Sequence, residues 1–162
     1  NSFDPGGDGQ VGTLLSPEFT ISKRYLKFLV GGGNQKGKTS VNLWINDRIV
    51  KTAVGNNTEQ LTEVIWDLNT YAGKTARLKI IDLDTFAWGH ILADQFVLTD
   101  RHDEILSSPS SGALVLADFE EDYSEGWEII ESEEPGISNP ENSYYRPWYA
   151  TRFENLESVI GY

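Results

Sequence analysis

Tyr25-Leu26-Lys27-Phe28-Leu29-Val30-Gly31-Gly32-Gly33-Asn34-Gln35-Lys36-Gly37-Lys38-Thr39-Ser40-Val41-Asn42-Leu43-Trp44-Ile45 is the stretch on which the fold turns. From Gly32 to Thr39 it satisfies G-x-x-x-x-G-K-[ST], the pattern of a phosphate-cradling loop. Such a loop must follow a strand and open a helix, because the free N–H groups of the helix N-terminus hold the phosphates. Tyr25–Val30 meets the first condition. Ser40–Ile45 fails the second: it alternates polar and apolar residues, with β-branched and aromatic side chains read as inward. Asn46-Asp47 then turns the chain into Arg48–Val54, another strand. The glycine run is therefore expected to connect antiparallel strands, and the nucleotide-binding reading is the weak alternative.

Working outward, short strands recur with turn residues between them. They are expected at Thr13–Leu15, Phe19–Ile21, Tyr25–Val30, Val41–Ile45, Arg48–Val54, Leu61–Trp66, Thr75–Asp82 and His90–Thr99. Strand, turn, strand at this spacing predicts an all-β, jelly-roll-like sandwich of antiparallel sheets. Ser107-Ser108-Pro109-Ser110-Ser111-Gly112 marks residues 101–112 as a linker. Ala113–Phe119 and Trp127–Ile130 read as further strands, Ile137–Trp148 as loop and Phe153–Tyr162 as a returning strand. Trp44 and Trp66, alternating with polar residues, read as core.

The 162 residues suffice for one domain with a hydrophobic core. Thirteen basic against 25 acidic residues give a net charge of −12, which repels phosphate backbones and argues against nucleic-acid partners. Residues 113–162 hold 12 of the acids and 2 of the bases. That concentration reads as a solvated face or as part of a cation site. The absence of cysteine rules out disulfides, thiolate metal sites and a cysteine nucleophile. No apolar run is long enough to span a bilayer, so no membrane partner is expected. With no methionine, the chain reads as a processed protein or an excised fragment.

Several ordered motifs carry a resemblance. They are Gly12-Thr13-Leu14-Leu15-Ser16-Pro17-Glu18-Phe19, Phe28-Leu29-Val30-Gly31-Gly32-Gly33, Gly55-Asn56-Asn57-Thr58-Glu59, Trp66-Asp67-Leu68, and Trp88-Gly89-His90-Ile91 followed by Asp94. Together they resemble carbohydrate-binding module family 66, the fructan-binding β-sandwich attached to levanases. The likeness covers nearly all of residues 1–100. Family members open with a segment like Phe119-Glu120-x-x-Tyr123-x-x-x-Trp127 and run through one like Val159-Ile160-Gly161-Tyr162 before reaching Asn1-Ser2-Phe3. Here those pieces follow the Ser/Pro stretch. Segment 113–162 is therefore expected to complete the sandwich of residues 1–100, as a circular permutant, or that of a neighbouring tandem copy by strand exchange.

The resemblance implies a non-catalytic module that binds fructose-containing polysaccharide, outside the cell or at its surface, in company with a glycoside hydrolase. Sugars are held by aromatic faces and by polar groups that bond hydroxyls. Asp82-Leu83-Asp84-Thr85-Phe86-Ala87-Trp88-Gly89-His90 is the densest set: Asp82 and Asp84 as acceptors, Trp88 as apolar wall, His90 as donor or acceptor. Trp88 reads equally as a core residue, and His90 as a satisfied strand histidine. Glu59, in a family-like turn, reaches the same surface or is an ordinary exposed glutamate. Asn34 and Gln35 are expected to form one wall, although the family often has histidine at the position of Gln35. Lys38 and Arg48 are weaker candidates. Tyr144, Tyr145, Trp148 and Tyr149 suit a sugar platform or a lid. No cofactor is required. Asp94, Asp118, Glu120 and Asp122 are candidate ligands for a structural calcium ion, which takes clustered hard oxygens. A structural or adhesive sandwich repeat is the alternative function.

Overall fold

The computed structural model describes residues 11–119 and 126–130. Ten strands run in chain order: β1 (Gly12–Leu15), β2 (Phe19–Thr20), β3 (Tyr25–Gly32), β4 (Thr39–Ile45), β5 (Arg48–Ala53), β6 (Thr58–Asp67), β7 (Thr75–Asp82), β8 (Ile91–Thr99), β9 (Leu114–Ala117) and β10 (Glu128–Ile130). A single 3₁₀ turn, Asn69–Tyr71, is the helical element among the described residues. One sheet has the order β10-β1-β7-β4-β5, with β2 also on β7. The other has the order β6-β3-β8-β9. All these pairings are antiparallel, and the two sheets pack face to face as a β-sandwich.

Period-2 alternation sets the core. Leu26, Phe28 and Val30 of β3 face Val41, Leu43 and Ile45 of β4 and Leu78 and Ile80 of β7 across the interior. Phe28 is the centre of this packing: its ring stacks on Phe96 at 4.9 Å and meets the edge of Trp66 at 4.8 Å. The buried cluster runs without a break from Leu14 to Trp127. β9 extends one sheet through β8 and β10 extends the other through β1. Phe119 and Trp127 sit 5.4 Å apart, and both contact Phe96. Residues 113–119 and 126–130 thus share the core of residues 11–100 within one chain. Asn1, Tyr162 and everything from 131 onward lie outside the described residues.

Trp44 departs from its expected core position. Once Val41, Leu43 and Ile45 take the inner face of β4, alternation puts Trp44 on the outer face. There it is half-buried, with Lys79 Nζ 4.3 Å from its ring centroid. Trp66 does lie in the core, 7% exposed. Asn46 and Asp47 both take positive φ, 50° and 58°, which matches the twist of the tight β4–β5 hairpin.

Residues 101–112, which composition reads as a linker, lie along the outer face of the β3–β8 sheet. Lys27 projects from that face and is 2% exposed. Its ammonium donates to the carbonyls of His102 (3.1 Å) and Glu104 (2.6 Å) and pairs with Glu63 at 3.2 Å. The Glu104 carboxylate in turn accepts bonds from Thr99 Oγ1, Ser110 N–H and Ser110 Oγ, each at 2.7 Å. Burial of the Lys27 charge is tolerated because it is paired and hydrogen-bonded.

Phe28→Ala is expected to cost about 3–5 kcal/mol, read from urea unfolding, because two aromatic neighbours lose their partner. The bonds from Thr99 and Ser110 lower the Glu104 carboxyl from 4.5 to about 2. Its ionised form therefore contributes stability that is fully present above about pH 4.5 and is lost as pH falls toward about 2. Glu104→Gln is expected to flatten the acid limb of stability over that window, checked by urea midpoints measured across it.

Candidate functional site

Three chain segments converge at the end of the sandwich where β3 closes: the glycine run, the 55–59 turn and the segment 88–90. Their backbones touch. Gly33 N–H donates to the His90 carbonyl at 2.8 Å, and the Gly33 carbonyl accepts from Gly55 N–H at 2.9 Å. The Gly32 carbonyl accepts from Asn57 N–H at 2.9 Å. A Cβ on Gly33 would lie 2.2 Å from the Trp88 carbonyl oxygen, and one on Gly55 would lie 2.2 Å from the Gly32 carbonyl oxygen. Gly32 also takes φ +83°. Side chains at these positions would hold the segments apart.

The Walker-like match leads into β4 at Thr39, with no helix N-terminus behind it to hold a phosphate. Its residues serve the fold instead. The Lys38 carbonyl accepts from Leu83 N–H at 2.7 Å, and Thr39 Oγ1 accepts from Gln35 N–H at 3.3 Å.

The 82–90 segment is wound tightly against this base. Asp82 ends β7, fully buried and in register with Gly12 and Thr39 on either side. Asp84 is 2% exposed, and its Oδ1 accepts from the N–H groups of Thr85 (2.9 Å) and Phe86 (3.4 Å). Lys38 Nζ stands 3.8 Å from the same oxygen. The Phe86 carbonyl closes the turn by accepting from Gly89 N–H at 2.7 Å. Trp88 takes φ +63°, in the left-handed region where a bulky side chain is strained. It is half-buried, its ring 5.7 Å from that of His90. His90 is buried to 2%, and its Nε2 lies 3.0 Å from Glu59 Oε1, so Nε2–H donates to the carboxylate.

Trp88, His90 and Glu59 are therefore brought together from two different turns, with Asp84 on the same segment as Trp88 and Lys38 on the loop that leads into β4. Asn34 is exposed at the rim, its N–H bonded to Asn57 Oδ1 at 3.0 Å. Gln35 is half-buried and bridges back to Thr39. Arg48 is not brought to this end: it pairs with Ile45, at the far end of β4 from Thr39, about 20 Å away along the strand. Asn57 is a participant that motif reading passes over. Its left-handed φ of 61° and its side-chain bond to Asn34 tie the two turns together, and the Asn56-Asn57 pair is the residue type that adopts this conformation.

Of the candidate metal ligands, Asp94 is 3% exposed on β8, its Oδ1 accepting from Gln95 N–H at 2.7 Å. Asp118 is exposed just past β9, and the pairing of Ala117 with Phe96 brings it alongside β8 near Asp94. Glu120 and Asp122 lie outside the described residues, as do Tyr144, Tyr145, Trp148 and Tyr149. Among the described residues no three His, Cys, Asp or Glu gather as a metal set.

No protein-family model matches the chain. Ninety-four residues, 58% of the chain, are 38% identical to part of a protein of Aspergillus rugulosus provisionally named glycosyl hydrolase ecdE. The match spans 13% of that protein's length. The chain is thus related in sequence to a small segment of a protein that bears a glycosyl hydrolase name.

Gly33→Ala is expected to destabilise the protein by about 1–3 kcal/mol, since the new methyl group meets backbone. Gly112→Ala, with open space around it, is expected to change stability by less than about 0.5 kcal/mol. Paired urea titrations followed by tryptophan fluorescence distinguish the two.

Proposed function

We propose that the chain is a non-catalytic carbohydrate-binding β-sandwich that recognises fructose-containing polysaccharide of the levan type at the Trp88–His90–Glu59 site. The observation that carries this reading is the junction of an aromatic face with a hydrogen-bonded imidazole–carboxylate pair. Trp88 offers an apolar wall to the C–H face of a sugar ring. The exposed Glu59 carboxylate has acceptor capacity for sugar hydroxyls, and the buried His90, 3.0 Å away, donates Nε2–H to it and fixes its position. Lys38 extends the polar rim, with the buried Asp84 carboxylate 3.8 Å beneath its ammonium. Kinship with a segment of a protein named as a glycosyl hydrolase supports a carbohydrate ligand, and the motif resemblance supports fructan.

The mechanism is preorganisation. Backbone bonds among Gly32, Gly33, Gly55, Asn57 and His90 hold the binding groups in place before the sugar arrives, which lowers the ordering cost of association. Affinity at one such shallow site is weak, and tandem copies would raise it by on the order of 10²–10⁴ through effective concentration. Such a module acts outside the cell or at its surface, alongside a hydrolase. A structural calcium ion held by Asp94 and Asp118, with Glu120 and Asp122, belongs to the same reading. The two described carboxylates, on neighbouring segments, are hard oxygen donors, the ligand type that calcium takes.

Isothermal titration with levan, inulin and unrelated glycans tests the proposal. Levan binding is expected, with Trp88→Ala weakening it roughly tenfold or more while circular dichroism stays that of a folded sandwich. A folded wild-type chain that binds no fructan would return the molecule to a structural or adhesive sandwich.

A further inference from the structure

Phe86 stands at the tip of the turn that links Asp84 to Trp88, and 74% of its surface is open to water. It is the most exposed large hydrophobic residue among those described. The others that are open, Ile105, Ile49, Leu114, Val115, Leu83 and Ile130, are all aliphatic. Phe86 is also held rigidly. Its N–H points to the buried Asp84 carboxylate at 3.4 Å, and its carbonyl accepts from Gly89 N–H at 2.7 Å. A Cβ on Gly89 would lie 2.6 Å from the carbonyl oxygens of both Asp84 and Phe86, so the turn closes this tightly only around glycine.

A bare aromatic ring costs hydration free energy and gains no packing in return. On a mobile loop it could fold back onto the body. Here Asp84 and Gly89 fix the backbone beneath it, so the ring stays presented at the rim. One residue, Ala87, separates Phe86 from Trp88, so their Cα atoms are at most about 7 Å apart, comparable to the length of one sugar unit. The ring face is flat and apolar, and it suits the C–H face of a sugar.

We propose that Phe86 is a second sugar contact, stacking on the unit next to the one held at Trp88, His90 and Glu59. The preferred ligand is then an oligosaccharide of two or more units, and free fructose is the poorer one. This inference rests on the carbohydrate reading above. The ring adds affinity only when the ligand extends past the first unit.

The test compares fructose with a three-unit levan oligosaccharide in NMR-detected titrations of the wild type, Phe86→Ala and Phe86→Trp. The wild type is expected to bind the trisaccharide about tenfold more tightly than fructose. In Phe86→Ala that ratio is expected to fall to about one, and in Phe86→Trp to be kept or raised. A ratio near one in the wild type, or a ratio unmoved by Phe86→Ala, overturns the second contact while leaving the first site standing. Binding of neither sugar by the folded wild type overturns the carbohydrate reading and this inference with it. Because the Phe86 ring packs against nothing in the core, loss of folding does not confound the alanine variant.

Discussion

The close approach of three backbones at Gly32, Gly33 and Gly55 is the constraint on which this end of the molecule depends. At this junction a neighbouring carbonyl oxygen lies where a Cβ would stand, an approach that only glycine allows. Gly33 meets Trp88 and His90 in this way, and Gly55 meets Gly32. The result draws the 55–59 turn and the 88–90 segment onto the end of β3. Glu59 and His90 then face each other at 3.0 Å although 31 residues separate them in sequence. Trp88 pays for this arrangement with a left-handed backbone, and the surrounding hydrogen bonds hold it there.

The opposite burden, a buried cation on the outside of a sheet, is handled by a different device. Lys27 cannot point into the core, because its neighbours Leu26 and Phe28 already do. It points outward and is covered by residues 101–112, whose carbonyls and the Glu63 carboxylate satisfy it. Glu104 then binds Thr99 and Ser110 and stitches the covering segment down. A stretch whose composition suggests a flexible connection becomes part of the body, because polar side chains can bond to a folded surface as readily as to water.

Much of the strand pattern was legible in the sequence, since half-buried strands write their alternation into it. The rejection of a phosphate loop rested on Ser40–Ile45 alternating at period 2, and β4 occupies that stretch. Trp44 shows the limit of such reading. An alternating strand has two faces, and the residues alone do not say which faces in. Three aliphatic side chains, Val41, Leu43 and Ile45, claimed the core and left the tryptophan outside. Asn57 and Phe86 were illegible as participants for another reason: their importance lies in a backbone bond across turns and in exposure on a rigid tip, neither of which is a property of residue type.

By itself the sequence determined the fold class and the strand–turn rhythm, because period and turn chemistry are local properties. It also supplied the separate candidates Glu59, Asp84, Trp88 and His90. Only the tertiary structure decided which of them meet. Arg48 was carried to the far end of β4, while Glu59 and His90 were joined across the glycine junction. Sheet order set that outcome: β3 lies between β6 and β8 and is antiparallel to both, so the turns that lead into those two strands converge at the end of β3. That adjacency comes from long-range pairing, which no window of neighbouring residues contains.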